Sequence, residues 1–202
     1  MTRTRRPVLH PRLRAPLGYP RGYERTSTLS DGRVAHLRPI VPDDLDALRT
    51  AVAEADADTL RNRFLGGRPP ASEEEFRRLV RVDYDRRFAV VALSPSHRGI
   101  GIARYEAAEG SDRADVAVAV DPGWRRVGLA TALLTLLGEA ALDNGIDQFS
   151  VDFLVENVDV ASIMEQSHLP VAVRQRGAVA EAEVDIGAAE RELGLMLPPA
   201  QR

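Results

Sequence analysis

Four residues in one short stretch have the types and spacing to hold a phosphate. They are Arg125, Arg126, Gly128 and Ala130, within Asp121-Pro-Gly-Trp-Arg-Arg-Val-Gly-Leu-Ala130. The two guanidinium groups bring positive charge. A glycine without Cβ lets a diphosphate approach the backbone, and a small alanine keeps the next turn open. Such a site also needs a helix start, because the first N–H groups of a helix lack partners and the helix dipole favours an anion there. The flanking sequence supplies one: Leu129, Leu133, Leu136, Leu137, Ala140 and Ala141 recur at helical spacing, and Asn144-Gly145 forms a left-handed stop. Upstream, Val116, Val118 and Val120 alternate with small residues as a buried strand that Asp121-Pro-Gly123 breaks.

Other nucleotide chemistry is excluded. Gly99-Ile-Gly101 begins like a dinucleotide fingerprint, but the third glycine position is Arg104, and a Walker loop needs a lysine. The chain has none: all 27 of its basic residues are arginine. It has no cysteine either, which rules out disulfides, thiolate metal sites and a cysteine nucleophile and fits a reducing cytoplasm. His10, His36, His97 and His168 lack metal-ligand spacing, so no metal is expected. No run approaches the ~18 to 20 apolar residues of a membrane span, and no signal peptide is expected. Residues 1–25 hold seven arginines against Glu24 alone, in a chain of net charge −3. With four prolines and no periodicity, residues 1–28 read as a flexible basic arm, and without a recognition motif no nucleic-acid partner is expected.

One domain is expected over residues 29–187, with a tail over 188–202 that could start as a short helix. Arg33 to Ile40 alternates as a strand, after which Asp43 or Asp44 is expected to cap a helix through Leu45, Leu48 and Val52. A short helix follows from Asp58 to Leu65, and Ser72-Glu-Glu-Glu75 forms a capping box for a third. Phe88 to Leu93 and Gly99 to Ala107 read as a hairpin. After the central strand and helix, Gln148 to Val155 is a strand, Asp159 to Leu169 a helix, and Val171 to Ile186 a closing hairpin.

Arg125-x-x-Gly128-x-Ala130 resembles the pyrophosphate signature of the GNAT superfamily of acyl-CoA N-acyltransferases. The order of elements from Arg33 to Ile186 resembles the GNAT fold: an α/β (α+β) architecture with a mixed, mostly antiparallel twisted sheet, splayed at the acyl-CoA site and flanked by helices. Leu37-Arg-Pro-Ile40, Arg61-x-Arg63-Phe64 and Val82-Asp-Tyr-Asp85 look like the catalytic domain of bacterial Pat-type protein lysine acetyltransferases. That resemblance implies acetyl-CoA as cosubstrate, without metal, and a lysine on a protein such as an acyl-CoA synthetase as acceptor. A small amine is the alternative acceptor, and a non-catalytic acyl-CoA sensor the alternative role. Pat proteins commonly carry a second, regulatory domain, for which 202 residues leave no room, so an isolated catalytic domain is expected.

The resemblance also assigns residues. The backbone of Val118 and Val120 would hold pantetheine, the run Arg125, Arg126, Val127, Gly128, Leu129, Ala130 and Thr131 the pyrophosphate, and Asn157 the same arm. A lysine amine is protonated at neutral pH and needs a base. Where Pat-like proteins place a glutamate early in the central strand this chain has Asp115, one methylene shorter, with Glu106 in reserve. The tyrosine that many family members use to protonate the thiolate is replaced by Met164, and the usual Gly-Phe by His168-Leu169.

Overall fold

The sheet starts earlier in the chain than the sequence suggested. In the computed structural model, which describes residues 15–188, β1 (Arg25–Thr28) pairs antiparallel with β2 (Val34–Pro39). The last residues of the expected arm are therefore an edge strand. Tyr23 just before it packs edge-to-face on Phe88, with ring centroids 5.3 Å apart. Arg25 is paired with Glu139. Arg-Thr-Ser-Thr has strand propensity but no apolar alternation, so the pattern gave no sign of it. Residues 1–14 of the arm and 189–202 of the tail lie outside the described residues.

Eight strands follow the order β1-β2-β3-β4-β5-β6-β8-β7. Strands β3 (Arg87–Leu93), β4 (Gly99–Ala107) and β5 (Arg113–Val120) form an antiparallel meander, and β7 (Val171–Arg176) and β8 (Val179–Asp185) a hairpin laid against β6 (Gln148–Leu154). Among the described strands only β5 and β6 run parallel, joined by the crossover helix α4 (Leu129–Asp143). This is the expected mixed, mostly antiparallel sheet.

Alternation assigns the two faces. Phe88, Val90, Ala103, Tyr105 and Val116 point to one side, where Leu129, Leu133, Leu136 and Leu137 of α4 close over them. Ala89, Val91 and Ile102 point to the other, under α1 (Leu45–Glu54) and α3 (Glu73–Val80), with α2 (Ala57–Arg63) alongside. The capping box of α3 is present: Ser72 Oγ accepts from Glu75 N, and the Glu75 carboxylate accepts from Ser72 N. Helix α5 (Val158–Ser167) covers Phe153, Ala180 and Ala182, and Met164 packs into that cluster.

Asp44 does not cap α1 with its side chain. It turns back, accepting from Val41 N and, through both oxygens, from Arg38 at 2.6 and 2.8 Å. A buried guanidinium cannot be neutralised by losing a proton, so the carboxylate is needed there more than at the helix start.

Tyr105 ties three elements together beneath α4. Fully buried, it donates to Asp85 O at 2.6 Å and accepts from Asn144 Nδ2 at 2.8 Å. Asn144 also donates to Tyr84 O. Burial pushes both tyrosine hydroxyls up to about 12. Tyr105→Phe keeps the packing but leaves the Asp85 carbonyl and the Asn144 amide, both in part-buried hydrogen bonds, short of a partner, at an expected cost of about 1 to 3 kcal/mol. Denaturant unfolding of the two proteins measures it, and an unchanged midpoint would refute the network's role.

Candidate active site

Strands β5 and β6 are joined at one end only. Their parallel ladder has three pairs, Arg113↔Gln148, Ala114↔Phe149 and Asp115↔Ser150, whereas β4–β5 and β6–β8 each pair along seven. The joined end is braced: Asp147 N and Gln148 N both donate to Asp112 O, and Arg113 reaches Ser150, Glu181 and Glu183. Beyond Asp115 each strand stays with its antiparallel neighbour, and a notch opens between them.

Register shows which backbone groups face the notch. Asp121 N donates to Ile100 O at 3.0 Å, so the odd-numbered residues of β5 bond to β4 and the even-numbered ones point away from it. Val118 and Val120 thus lack a strand partner on the notch side. Val155 N donates to Ala178 O, so by the same parity Asp152 faces the notch from β6.

At the open end lies the turn at Asp121–Gly128 that the sequence marked for a phosphate. Asp121 accepts from Gly123 N at 2.9 Å, Pro122 starts a 3₁₀ turn, and the β1–β2 loop braces it: Arg33 lies 4.1 Å from the Trp124 ring centroid and Ser30 N donates to Val127 O. Arg126 (φ 58°) and Gly128 (φ 86°) are both left-handed. The first bond into α4 is Ala132 N to Gly128 O, which leaves the N–H groups of Leu129, Ala130 and Thr131 without an intrahelical partner. A Cβ at Gly128 would meet nothing within 4 Å, so the space before the helix is open. This fits a diphosphate.

A cavity of about 590 Å³ runs along the notch. It gathers Val118, Val120, Arg125, Arg126, Gly128, Ala130, Thr131 and Asn157. Val127 and Leu129 are not on its wall. Leu129 is buried in the core and Val127 is held by Ser30, so each offers only backbone. Arg125 is not a mobile charge: its Nε donates to Val120 O at 3.3 Å and its guanidinium reaches Thr59 and Asp56 at the start of α2. Exposed Arg126 keeps that freedom. Asn157 is the N-cap of α5, its Oδ1 accepting from Val160 N. The wall formed by Thr59, Asn62 and Arg63 of α2 was not read as a site, since a seven-residue polar helix carries no chemical signature of its own. Only Arg61-x-Arg63-Phe64 pointed to it.

Asp115 sits on the last β5–β6 rung, exposed, at the apex of the notch and just outside the cavity wall. Directly across on β4 is Glu106, which takes Arg78 at 3.1 Å, Arg87 at 3.2 Å and Arg104 at 3.6 Å. Burial alone would raise the Glu106 carboxyl, but the Arg78 hydrogen bond and the charges of Arg104 and Arg87 outweigh it and hold it below the ordinary range. A carboxylate so committed is a poor proton acceptor. No group of three or more metal-ligating side chains and no helix able to cross a membrane occurs among the described residues.

Residues 35–169 match the family model described as an acetyltransferase (GNAT) domain, and the chain belongs to that family. It is an acyl-CoA-dependent N-acetyltransferase. Among its relatives is an acetyltransferase of Pseudomonas aeruginosa, 32% identical over 62% of this chain and 69% of that protein. The acetyltransferase Pat of Mycolicibacterium smegmatis is 29% identical over 77% of this chain, a match that takes in only 46% of that longer protein. Among solved structures, the GNAT domain of Streptomyces lividans PAT superposes with a TM-score of 0.76 at 25% identity, covering 83% of this chain and 99% of the other.

With acetyl-CoA at a hundredfold excess over its dissociation constant, the fold should gain about 2.7 kcal/mol by mass action. Gly128→Glu puts a carboxylate before the helix and a side chain on a left-handed residue, and is expected to abolish that gain. Thermal shift checks it: a folded variant that still responds to acetyl-CoA would overturn the diphosphate assignment.

Proposed function

We propose that this domain moves an acetyl group from acetyl-CoA to the side-chain amine of a lysine on a partner protein, with an acyl-CoA synthetase as the candidate acceptor and Asp115 as general base. The observation that carries the reading is the end of β5–β6 pairing at Asp115. One strand then bears a proton acceptor at the apex, backbone without a strand partner at Val118 and Val120 in the middle, and a diphosphate turn at the far end. Thioester, phosphates and base are thereby spaced along one element. Similarity to Pat supports a protein acceptor.

In this mechanism Asp115 takes a proton from the ammonium, whose pKa near 10.4 leaves almost no free amine at neutral pH. The neutral amine attacks the thioester carbonyl, and Val118 N–H is the donor available to the oxygen on which charge develops. The phosphate run from Arg125 to Thr131 and the arm-binding groups Val120 and Asn157 fix the donor. Met164 lies in the α5 core and has no proton to give, so the departing thiolate takes its proton from solvent. Of the two acids, Asp115 is favoured over Glu106 because three arginines already claim Glu106.

Asp115→Asn keeps shape but loses the proton acceptor, so turnover should fall by about 10² to 10⁴ with acetyl-CoA binding nearly unchanged. Asp115→Glu should retain or raise activity. The wild-type rate should climb with pH as the acceptor amine deprotonates, and the asparagine variant should recover most at high pH. Initial rates on a purified acyl-CoA synthetase across pH test this, and a loss within about twofold would move the base elsewhere.

A further inference from the structure

The face of the sheet that carries Asp115 has more positive charge than its own carboxylates neutralise. Arg78, Arg87 and Arg104 gather there around Glu106, and Arg63 is near enough for its charge to act on Arg104. Arg78 and Arg87 take that carboxylate, which leaves Arg104 with a loose contact at 3.6 Å. Arg104 is 7% exposed, and its Nη1 is buried without a hydrogen-bond partner. Arg63 has no carboxylate partner among the described residues. Its guanidinium lies 5.0 Å from the ring centroid of Phe64, and the residue forms part of the cavity wall. Burial lowers the pKa of both, that of Arg104 to about 10, with the neighbouring charge of Arg63 acting in the same direction. A guanidinium has five donors and no acceptor, so a buried unfilled donor is costly unless something arrives to take it.

The diphosphate is not that group. Arg104 stands opposite Ala117, a cavity residue three positions before Val120, the residue whose carbonyl holds Arg125. At roughly 3.3 Å per residue, that is about 10 Å of strand from the phosphate turn. Arg63 on the cavity wall, and Arg104 buried behind it on the rung of Ala117, therefore stand towards the end of the cavity away from the phosphate turn. Planar, bidentate guanidinium donors in that position match a carboxylate.

We propose that Arg63 and Arg104 form a carboxylate-binding subsite at the acyl end of the cavity. It rests on the acyl-transfer reading and deepens it: the preferred substrate pair carries a carboxylate within a few bonds of the reacting atoms. That carboxylate comes either from the far end of a dicarboxylic acyl group on CoA or from an acidic residue beside the acceptor lysine.

Binding separates the two sources without relying on turnover. One arm titrates the full chain with succinyl-CoA and with acetyl-CoA. The other measures, with CoA present, the anisotropy of labelled peptides whose lysine is flanked by aspartate or by alanine. The expected result is a preference of about tenfold for the carboxylate-bearing ligand on one arm, with the ratio falling towards one in Arg63→Gln. Arg104→Gln should do the same. If that buried change prevents folding, Arg63→Gln alone decides, because its side chain stands on the cavity wall. No preference on either arm, or one that survives Arg63→Gln, overturns the subsite. Absence of acetyl transfer to any acceptor would instead count against the proposed function, and the two failures are read from different measurements.

Discussion

Three rungs of parallel pairing determine the rest. Had β5 and β6 paired along their length, the backbone of Val118 and Val120 would be spent on the sheet and no notch would exist. Had they not paired at all, the seven-rung halves on either side would be separate sheets. The staple at Asp112, Arg113 and Ser150 holds one end, and the commitment of each strand to its antiparallel neighbour opens the other. Unpaired backbone deep in a protein is costly in isolation, so such a notch persists only where solvent or a substrate supplies the missing partners.

The braces converge on that geometry from both faces. Leu129 and Leu133 pack beneath Gly101, where a Cβ would come within 3.0 Å of Leu133, so α4 lies close under β4 and aims its N-terminus at the notch. On the other face Arg125 links the end of β5 to Thr59 and Asp56 of α2. The turn before α4 and the α2 wall are thus joined by one side chain.

Much of this was legible in the sequence because it depends on local chemistry. Val116, Val118 and Val120, the Pro-Gly break, the leucine spacing of α4 and the Ser72–Glu75 box each determine their own element. What escaped depends on contacts distant in the chain. β1 is held by β2 and by Tyr23 on Phe88, not by its own pattern. Arg125 looks free until α2, 66 positions back, arrives, and even at six positions Asp44 looks like a cap until β2 turns Arg38 against it. The charges acting on Arg104 come from residues up to 43 positions apart, from Arg63 to Glu106, too far for the sequence pattern to join.

The absence of lysine gives the fold a one-sided response to pH. Apart from Arg104, which burial lowers to about 10 beside Glu106, the arginines paired with carboxylates among the described residues keep their charge far above neutrality, so those pairs are not lost by deprotonation as conditions turn alkaline. Above Arg104 come Tyr23, Tyr84 and Tyr105, raised by burial to about 12. A raised tyrosine contributes stability that is complete below its unfolded value near 10 and is lost as pH climbs through the folded one. The scaffold therefore keeps its other arginine charges through the interval in which an alkylamine sheds its proton, and Arg104 alone among these pairs titrates alongside it.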